Sequence, residues 1–365
     1  MKKTLTFLLA FSAYVLVSCG PRPGIESKRE TLAPGGKLTL ANNYVRNHTV
    51  LSAVVKSESA FEGVTLGRGG QDVYWGAWAV VTPDSVSIFE RDYLNEVGDY
   101  RNVCFDSFPH GLTLDKPFTV SVVTDAPDST GVLLLTCGTR SFKKKIHWRG
   151  GGIPYLVNDG SSPVDASLMF VRGDAIQPVW FIADSYFMEY DVERWPYYMV
   201  RDGVTGWFAD QLPGGGSEEF IECFREDLKY GTPKFAVWMM GMNDYNDGPD
   251  SPEQIWMSCV EEFISLCKER GITPVLVTVP TVPERCHDRK TEWVRNSGYR
   301  YIDWAAAVGS KSWDCSEEDL KSVATTGKHR GWDADYLSED DVHPTASGAE
   351  ALWKQVEKDL PELKN

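Results

Sequence analysis

Near the end of the chain, Asp340-Asp341-Val342-His343-Pro344 places a carboxylate three residues before a histidine, with a proline directly after it. A carboxylate so close in sequence can orient an imidazole and stabilise its cationic form, as general-base activation of a nucleophile requires. Asp341 is a second acid within reach, though the D-x-x-H spacing favours Asp340. A base of this kind needs a hydroxyl or thiol to act on, and Ser185 in Ala183-Asp184-Ser185-Tyr186 is the candidate. Taken alone, an Asp-Ser pair is more often a helix N-cap. Two further segments carry groups that could donate to a developing oxyanion. Gly206 closes the run 198–207 and could offer its N–H at close approach, while Asn243 in Gly241-Met242-Asn243-Asp244 could offer its side-chain amide. Gly214, Gly215 and Gly216 are rivals to Gly206 for the first of these places.

These residues can act together only if the chain positions them at the ends of neighbouring elements. Residues 178–183, 235–240 and 273–279 are short apolar runs that read as buried strands. Between them, residues 218–230 put Phe220, Ile221, Phe224 and Leu228 on one helical face, and residues 252–270 repeat the pattern with Ile255, Cys259, Phe263 and Leu266 before Gly271. Residues 198–207 read as a further extended run ending at glycines. The alternation predicts an α/β half with a mainly parallel sheet, in which ligands lie beyond the carboxyl ends of the strands. Ser185 and Asn243 each follow such a run directly.

In chain order, Ser185, Gly206, Asn243 and His343 with Asp340 resemble the four blocks of the SGNH or GDSL family of serine esterases and lipases. The resemblance implies a flavodoxin-like, three-layer α/β domain over residues 174–365, with no cofactor and no metal. It implies Ser185 as nucleophile, His343 as base, Asp340 as orienting acid, and Ser185, Gly206 and Asn243 as oxyanion donors. Two positions depart from the family pattern: Ala183 stands where Gly is usual, and Tyr186 where Leu or Ile is common. Neither replaces a reacting group, but both border the nucleophile.

Residues 37–173 have a different character, with short alternating or β-branched runs separated by Gly, Pro, Asp and Asn. Strands are expected at 49–56, 72–81, 85–90, 118–124, 131–137 and 141–148, which predicts an all-β sandwich or jelly roll. Its aromatic residues Tyr74, Trp75, Trp78, Phe89, Tyr93, Tyr100, Phe105, Phe108 and Trp148 read first as core and edge side chains, and second as a sugar-stacking platform.

Ahead of this half, Lys2 and Lys3 precede an apolar run that is too short for a comfortable membrane span, so residues 1–18 read as an export leader. Leu16-Val17-Ser18-Cys19-Gly20 resembles the bacterial lipobox, which implies diacylation of Cys19 and a lipid anchor in the bacterial cell envelope. The Pro- and Gly-rich stretch 19–36 reads as a tether without regular structure.

The chain of 365 residues carries 37 basic against 52 acidic side chains, a net of -15, and loss of the two leader lysines takes it to about -17. That balance argues against nucleic acid or anionic lipid headgroups as partners. The seven cysteines after Cys19 have no zinc-type spacing, and Cys259 and Cys267 fit as small core residues on one helix.

An exported, anchored esterase with an extra β-domain resembles bacterial enzymes that remove acetyl groups from polysaccharides. The expected substrate is therefore a small ester or an acylated polysaccharide. Two alternatives stand beside it: a surface glycan-binding lipoprotein with a vestigial esterase domain, and a lipase or thioesterase.

Overall fold

A computed structural model describes residues 24–41, 49–69, 76–94, 99–124, 130–172, 177–187, 194–211, 214–245, 252–283, 285–310, 332–333 and 335–364. The leader, Cys19, the expected boundary at 173/174, and Tyr74, Trp75, His48, His329 and Cys315 lie outside these residues. The chain divides into two compact units, one ending at Ile176 and the other beginning at Gln177, with the short segment Asp227–Thr232 grouped with the first.

The described residues of the first unit form twelve strands: β1 (Gly24–Leu32), β2 (Lys37–Thr39), β3 (Thr49–Ser57), β4 (Val64–Arg68), β5 (Ala77–Val81), β6 (Ser85–Leu94), β7 (Asp99–Pro109), β8 (Phe118–Thr124), β9 (Thr130–Cys137), β10 (Arg140–His147), β11 (Pro154–Asn158) and β12 (Val164–Arg172). They form two six-stranded antiparallel sheets, ordered β1-β12-β3-β8-β9-β10 and β2-β11-β4-β5-β6-β7. The period-2 alternation that makes a half-buried strand is plain in β9, where every second side chain is buried. A single core draws Leu51, Val55, Leu168 and Phe170 from the first sheet and Leu66, Ala79, Ile88 and Leu156 from the second.

The structure corrects the expected tether. Residues 24–32 form β1, paired along its whole length with β12 from Gly24↔Arg172 to Leu32↔Val164. β1 is an edge strand, and most of its side chains between Ile25 and Thr31 face solvent. Backbone hydrogen bonds hold it, so its charged composition carries no apolar alternation to betray a strand. Of the aromatic residues in this half, Trp78, Phe108 and Trp148 are buried, and Phe105 is exposed and stacks on His147 with ring centroids 4.5 Å apart.

The described residues of the second unit form five parallel strands, β13 (Val179–Ala183), β14 (Trp207–Gln211), β15 (Phe235–Met239), β16 (Thr273–Val277) and β17 (Arg300–Ile302), in the order β14-β13-β15-β16-β17. That is the 2-1-3-4-5 order of a flavodoxin-like sheet, whose switch point lies at its first strand. The helices are α1 (Trp195–Arg201), α2 (Ser217–Asp227), α3 (Pro252–Arg270), α4 (Asp288–Asn296), α5 (Trp304–Ala307) and α6 (Ala346–Asp359). Val179, Phe181 and Ala183 face a core shared with α1, α5 and α6. Trp180 points the other way, onto Phe208 and onto Phe224 of α2, while Trp238 meets Phe263 of α3. Burial on both faces explains why these strands are continuous apolar runs rather than alternating ones.

One element differs from expectation. The run 198–207 is not extended: Trp195–Arg201 is a helix with Pro196 in its first turn, where a missing N–H is harmless. Its β-prone aromatic residues are overridden by packing, since Trp195 stacks on Trp353 at 6.1 Å and Tyr198 donates to the Ala346 carbonyl at 2.8 Å. The strand begins only after Gly206.

Candidate active site

Ser185 stands two residues beyond the carboxyl end of β13, in a tight turn where Phe187 N–H donates to Asp184 O and Tyr186 N–H donates to the Asp184 carboxylate. Arg194 Nε donates to the Ser185 carbonyl at 3.0 Å and pins the turn from the other side. Ser185 Oγ lies 2.8 Å from His343 Nε2, and His343 Nδ1 lies 2.6 Å from Asp340 Oδ2. The structure thus joins the three expected residues in one hydrogen-bonded chain, although Ser185 and His343 are 158 positions apart.

The D-x-x-H spacing has a local cause. The other Asp340 oxygen accepts the N–H groups of Val342 and His343 at 2.9 and 2.8 Å and the Ser338 hydroxyl at 2.7 Å. Asp341 takes a left-handed backbone, φ 59°, to close this turn, a conformation aspartate tolerates better than most residues. It is Asp340, and not Asp341, that meets the imidazole. The turn is tied down where Ser338 N–H donates to His343 O and Thr345 N–H to Tyr336 O, and where Thr345 caps α6 by accepting from Gly348 N–H. Gly348 is required there, because a Cβ would overlap the Tyr336 carbonyl oxygen.

Charges around the histidine act in opposite directions. Burial opposes ionisation of Asp340, but the hydrogen bonds from His343, Val342 and Ser338 outweigh it and hold this carboxyl well below the usual range. Burial, then the Arg194 guanidinium, lower the His343 pKa below its ordinary value, and Asp340 opposes them. At neutral pH the imidazole is therefore mostly neutral and able to accept a proton.

Asn243 follows β15 and faces the same end of the sheet. Its Nδ2 donates to Asp184 Oδ2 at 3.3 Å and to Gly215 O at 3.1 Å, while its Oδ1 lies 3.4 Å from Arg285 Nη1. Two acceptors on one side and a cation on the other agree on which way the amide points. Burial, with the Asp244 charge adding to it, raises Asp184 to about 7.

Gly206 does not belong to this group. Its carbonyl accepts from Val179 N–H at the amino end of β13, so it lies at the end of the sheet away from Ser185. The glycines beyond the carboxyl end of β14 are Gly214, Gly215 and Gly216, and Gly215 is the one bonded to Asn243. Because Trp195–Arg201 is a helix and the strand begins at Trp207, Gly206 precedes its strand instead of following one.

Sequence reasoning passed over the residues that shape the Asn243 loop. Lys290, 2 % exposed, donates to the carbonyls of Gly241, at 2.8 Å, and Asp244, and lies 3.3 Å from His287 Nδ1. Trp256 Nε1 donates to Met240 O at 3.0 Å, and Gly241, at φ 131°, allows Trp256 and Val279 to close in where a Cβ would meet both at 2.8 Å. His287 is fully buried beneath this loop, and burial together with Lys290 and Arg285 keeps it neutral. The only signal in the sequence was the cluster Arg285-Cys286-His287 with Lys290, following an apolar strand.

Burial lowers the Lys290 pKa to about 8, against the opposing charges of Asp244 and Glu253. Lys290→Met is expected to lower kcat by about ten- to a hundred-fold with little change in KM, because a loop displaced by about 1 Å misplaces the Asn243 amide. The wild type should also lose activity as pH rises through about 8, where the ammonium deprotonates, and the variant should lack that alkaline limb. Steady-state kinetics across pH measures both.

Two further histidines are structural: His110 bonds Thr82 O and Leu112 N–H, and His147 bonds the buried Glu90. Among the described residues no cluster of side chains suits a metal ion, and no helix is long and apolar enough to cross a membrane.

No family model and no curated protein matches the chain. Among solved structures it is similar to a Bacteroides fragilis protein assigned as an acylhydrolase (17% identity, 52% of this chain and 88% of that one, TM-score 0.39). It is also similar to a GDSL-like lipase from Bacteroides thetaiotaomicron (17%, 51% and 88%, 0.38) and to an acetylxylan esterase from Geobacillus stearothermophilus (17%, 50% and 92%, 0.35). At such TM-scores these likenesses add nothing to what the hydrogen-bond geometry conveys.

Proposed function

We propose that the second unit is a serine esterase that hydrolyses short acyl esters, acetyl foremost, on carbohydrates. The observation that carries this reading is the unbroken chain from Ser185 Oγ through His343 to Asp340, at the carboxyl end of β13. His343 Nε2 takes the Ser185 proton as Oγ attacks the ester carbonyl, and Asp340 stabilises the imidazolium. Collapse of the tetrahedral intermediate breaks the C–O bond of the alcohol, which leaves with the proton from His343. Water, deprotonated by the same imidazole, then attacks the acyl-enzyme, and the net change is ester plus water to carboxylic acid plus alcohol.

The oxyanion is assigned to Asn243 Nδ2 with the N–H groups of Ser185 and Gly215. The long Asn243 contact to Asp184 is the one the oxyanion would displace, and a carboxyl raised to about 7 loses little by giving it up. Asn243→Ala should cost about two to three powers of ten in kcat, read in steady-state hydrolysis of p-nitrophenyl acetate. Because the His343 pKa is lowered, the acid limb of kcat/KM should lie below the ordinary histidine value of 6.5, activity falling as pH drops through the folded pKa. An acid limb above 6.5 would contradict the proposed environment of this base.

The leader-like residues 1–18 and the lipobox-like Cys19 support export and acyl anchoring in the cell envelope. Polysaccharide esters would be met there. Acetate release from a panel of acetylated glycans by wild type and Ser185→Ala tests activity and substrate class together.

A further inference from the structure

Next to the proposed oxyanion donor lies a cation for which the catalytic chain has no use. Arg285 is half-buried, and its guanidinium lies over the ring of Tyr245 at 4.0 Å from the centroid. Its Nη1 reaches Met242 O at 3.5 Å and Asn243 Oδ1 at 3.4 Å, both at the outer limit of hydrogen bonding. Among the described residues it forms no ion pair, and the nearby Asp244 carboxylate is engaged by Ser217 through its N–H, at 3.0 Å, and its hydroxyl, at 2.6 Å. Asp184 is the other acid facing it, and burial makes that carboxyl a weak counter-charge near neutral pH. Arg194 adds a second positive charge on the nucleophile's side, in a chain whose net charge is -15. Tyr245 is 42 % exposed, so the shelf these two residues make is open to solvent.

We propose that Arg285 and Tyr245 form a subsite for a carboxylate carried by the ester substrate, so that the preferred substrate is an O-acylated acidic sugar. A guanidinium has five N–H donors in a rigid fork that matches a carboxylate, and among the described residues only Nη1 of Arg285 has partners. Stacking on Tyr245 fixes the plane of that fork, while the exposed ring offers a surface to the sugar. The generally acidic chain repels polyanions elsewhere, which makes a local positive shelf selective. This inference rests on the esterase reading of Ser185 and adds to it the charge of the substrate.

The test compares kcat/KM of the full chain on two matched pairs: acetylated oligogalacturonate against acetylated xylo-oligosaccharide, and p-nitrophenyl hemisuccinate against p-nitrophenyl acetate. The galacturonate should be favoured by about ten-fold or more, as a charge-assisted hydrogen-bonded contact provides. That preference should fall to within about three-fold in Arg285→Gln through a rise in KM, and Arg285→Lys should restore part of it. A preference confined to the hemisuccinate pair would overturn the acidic-sugar assignment and place the carboxylate on the acyl side. No preference in the wild type, or an equal loss of kcat on both members of a pair in Arg285→Gln, would also overturn it, leaving Arg285 only a prop for Asn243. Should no substrate be turned over in a Ser185-dependent way, the esterase reading fails separately. Calorimetric binding of oligogalacturonate to wild type and Arg285→Gln then decides the subsite, which requires weaker binding by the variant.

Discussion

Replacing Ser185 with alanine is expected to lower ester turnover by about four to six powers of ten, to the floor set by binding and the oxyanion donors alone. Among the described residues the Ser185 side chain has one polar contact, to His343 Nε2, and the turn that presents it is built from backbone and from Asp184 and Arg194. Removing one oxygen should therefore leave folding intact, and an unchanged melting temperature is the control that separates lost chemistry from lost structure. A variant with wild-type folding and more than about one per cent of wild-type turnover would mean that another group is the nucleophile.

Asp340→Asn is expected to cost about four powers of ten in kcat, nearly as much, although it changes so little in shape. The carboxylate now accepts from His343 Nδ1, which keeps the proton on that nitrogen and leaves Nε2 free to take the serine proton. An asparagine can keep its oxygen towards the backbone N–H groups of Val342 and His343 and the Ser338 hydroxyl. Its NH2 then faces Nδ1, which favours the tautomer with the proton on Nε2 and blocks general-base action. The alternative orientation directs the NH2 at those three donors and breaks the turn. Either way the enzyme loses, and a fall of less than ten-fold in steady-state kcat would show that Asp340 does not orient this base.

Much of the site was legible because its pieces are local. Apolar runs mark β13, β15 and β16 through burial on both faces, and Ser185 and Asn243 follow two of them within a few residues. The Asp340 turn is a four-residue hydrogen-bonding unit, so its spacing alone suggests its geometry. Gly206 was misplaced because the decision was not local. Only the parallel register Val179↔Trp207 shows that the glycine precedes its strand, and the helix ahead of it is held by packing of α1 against α6 that no propensity reveals.

The two remaining misses have related causes. β1 is polar because its side chains face solvent, and its identity as a strand comes wholly from β12, more than a hundred residues away. Lys290 reads as an ordinary surface residue of an amphipathic helix, yet it is buried where two carbonyls of the Asn243 loop, more than forty residues away, meet its ammonium group beside His287 Nδ1.

By itself, then, the sequence determined the chemical types and their local frames: a serine in a strand-end turn, an amide after the next apolar run, and a histidine bound to its own acid. The tertiary structure decided which glycine lies beside Asn243, that Lys290 clamps the amide loop, and that Arg285 stands beside it without an ion pair among the described residues. The division is physical. Hydrogen bonds within a turn are written in neighbouring residues, whereas which end of a parallel sheet a loop occupies, and which charge is buried, follow from long-range packing.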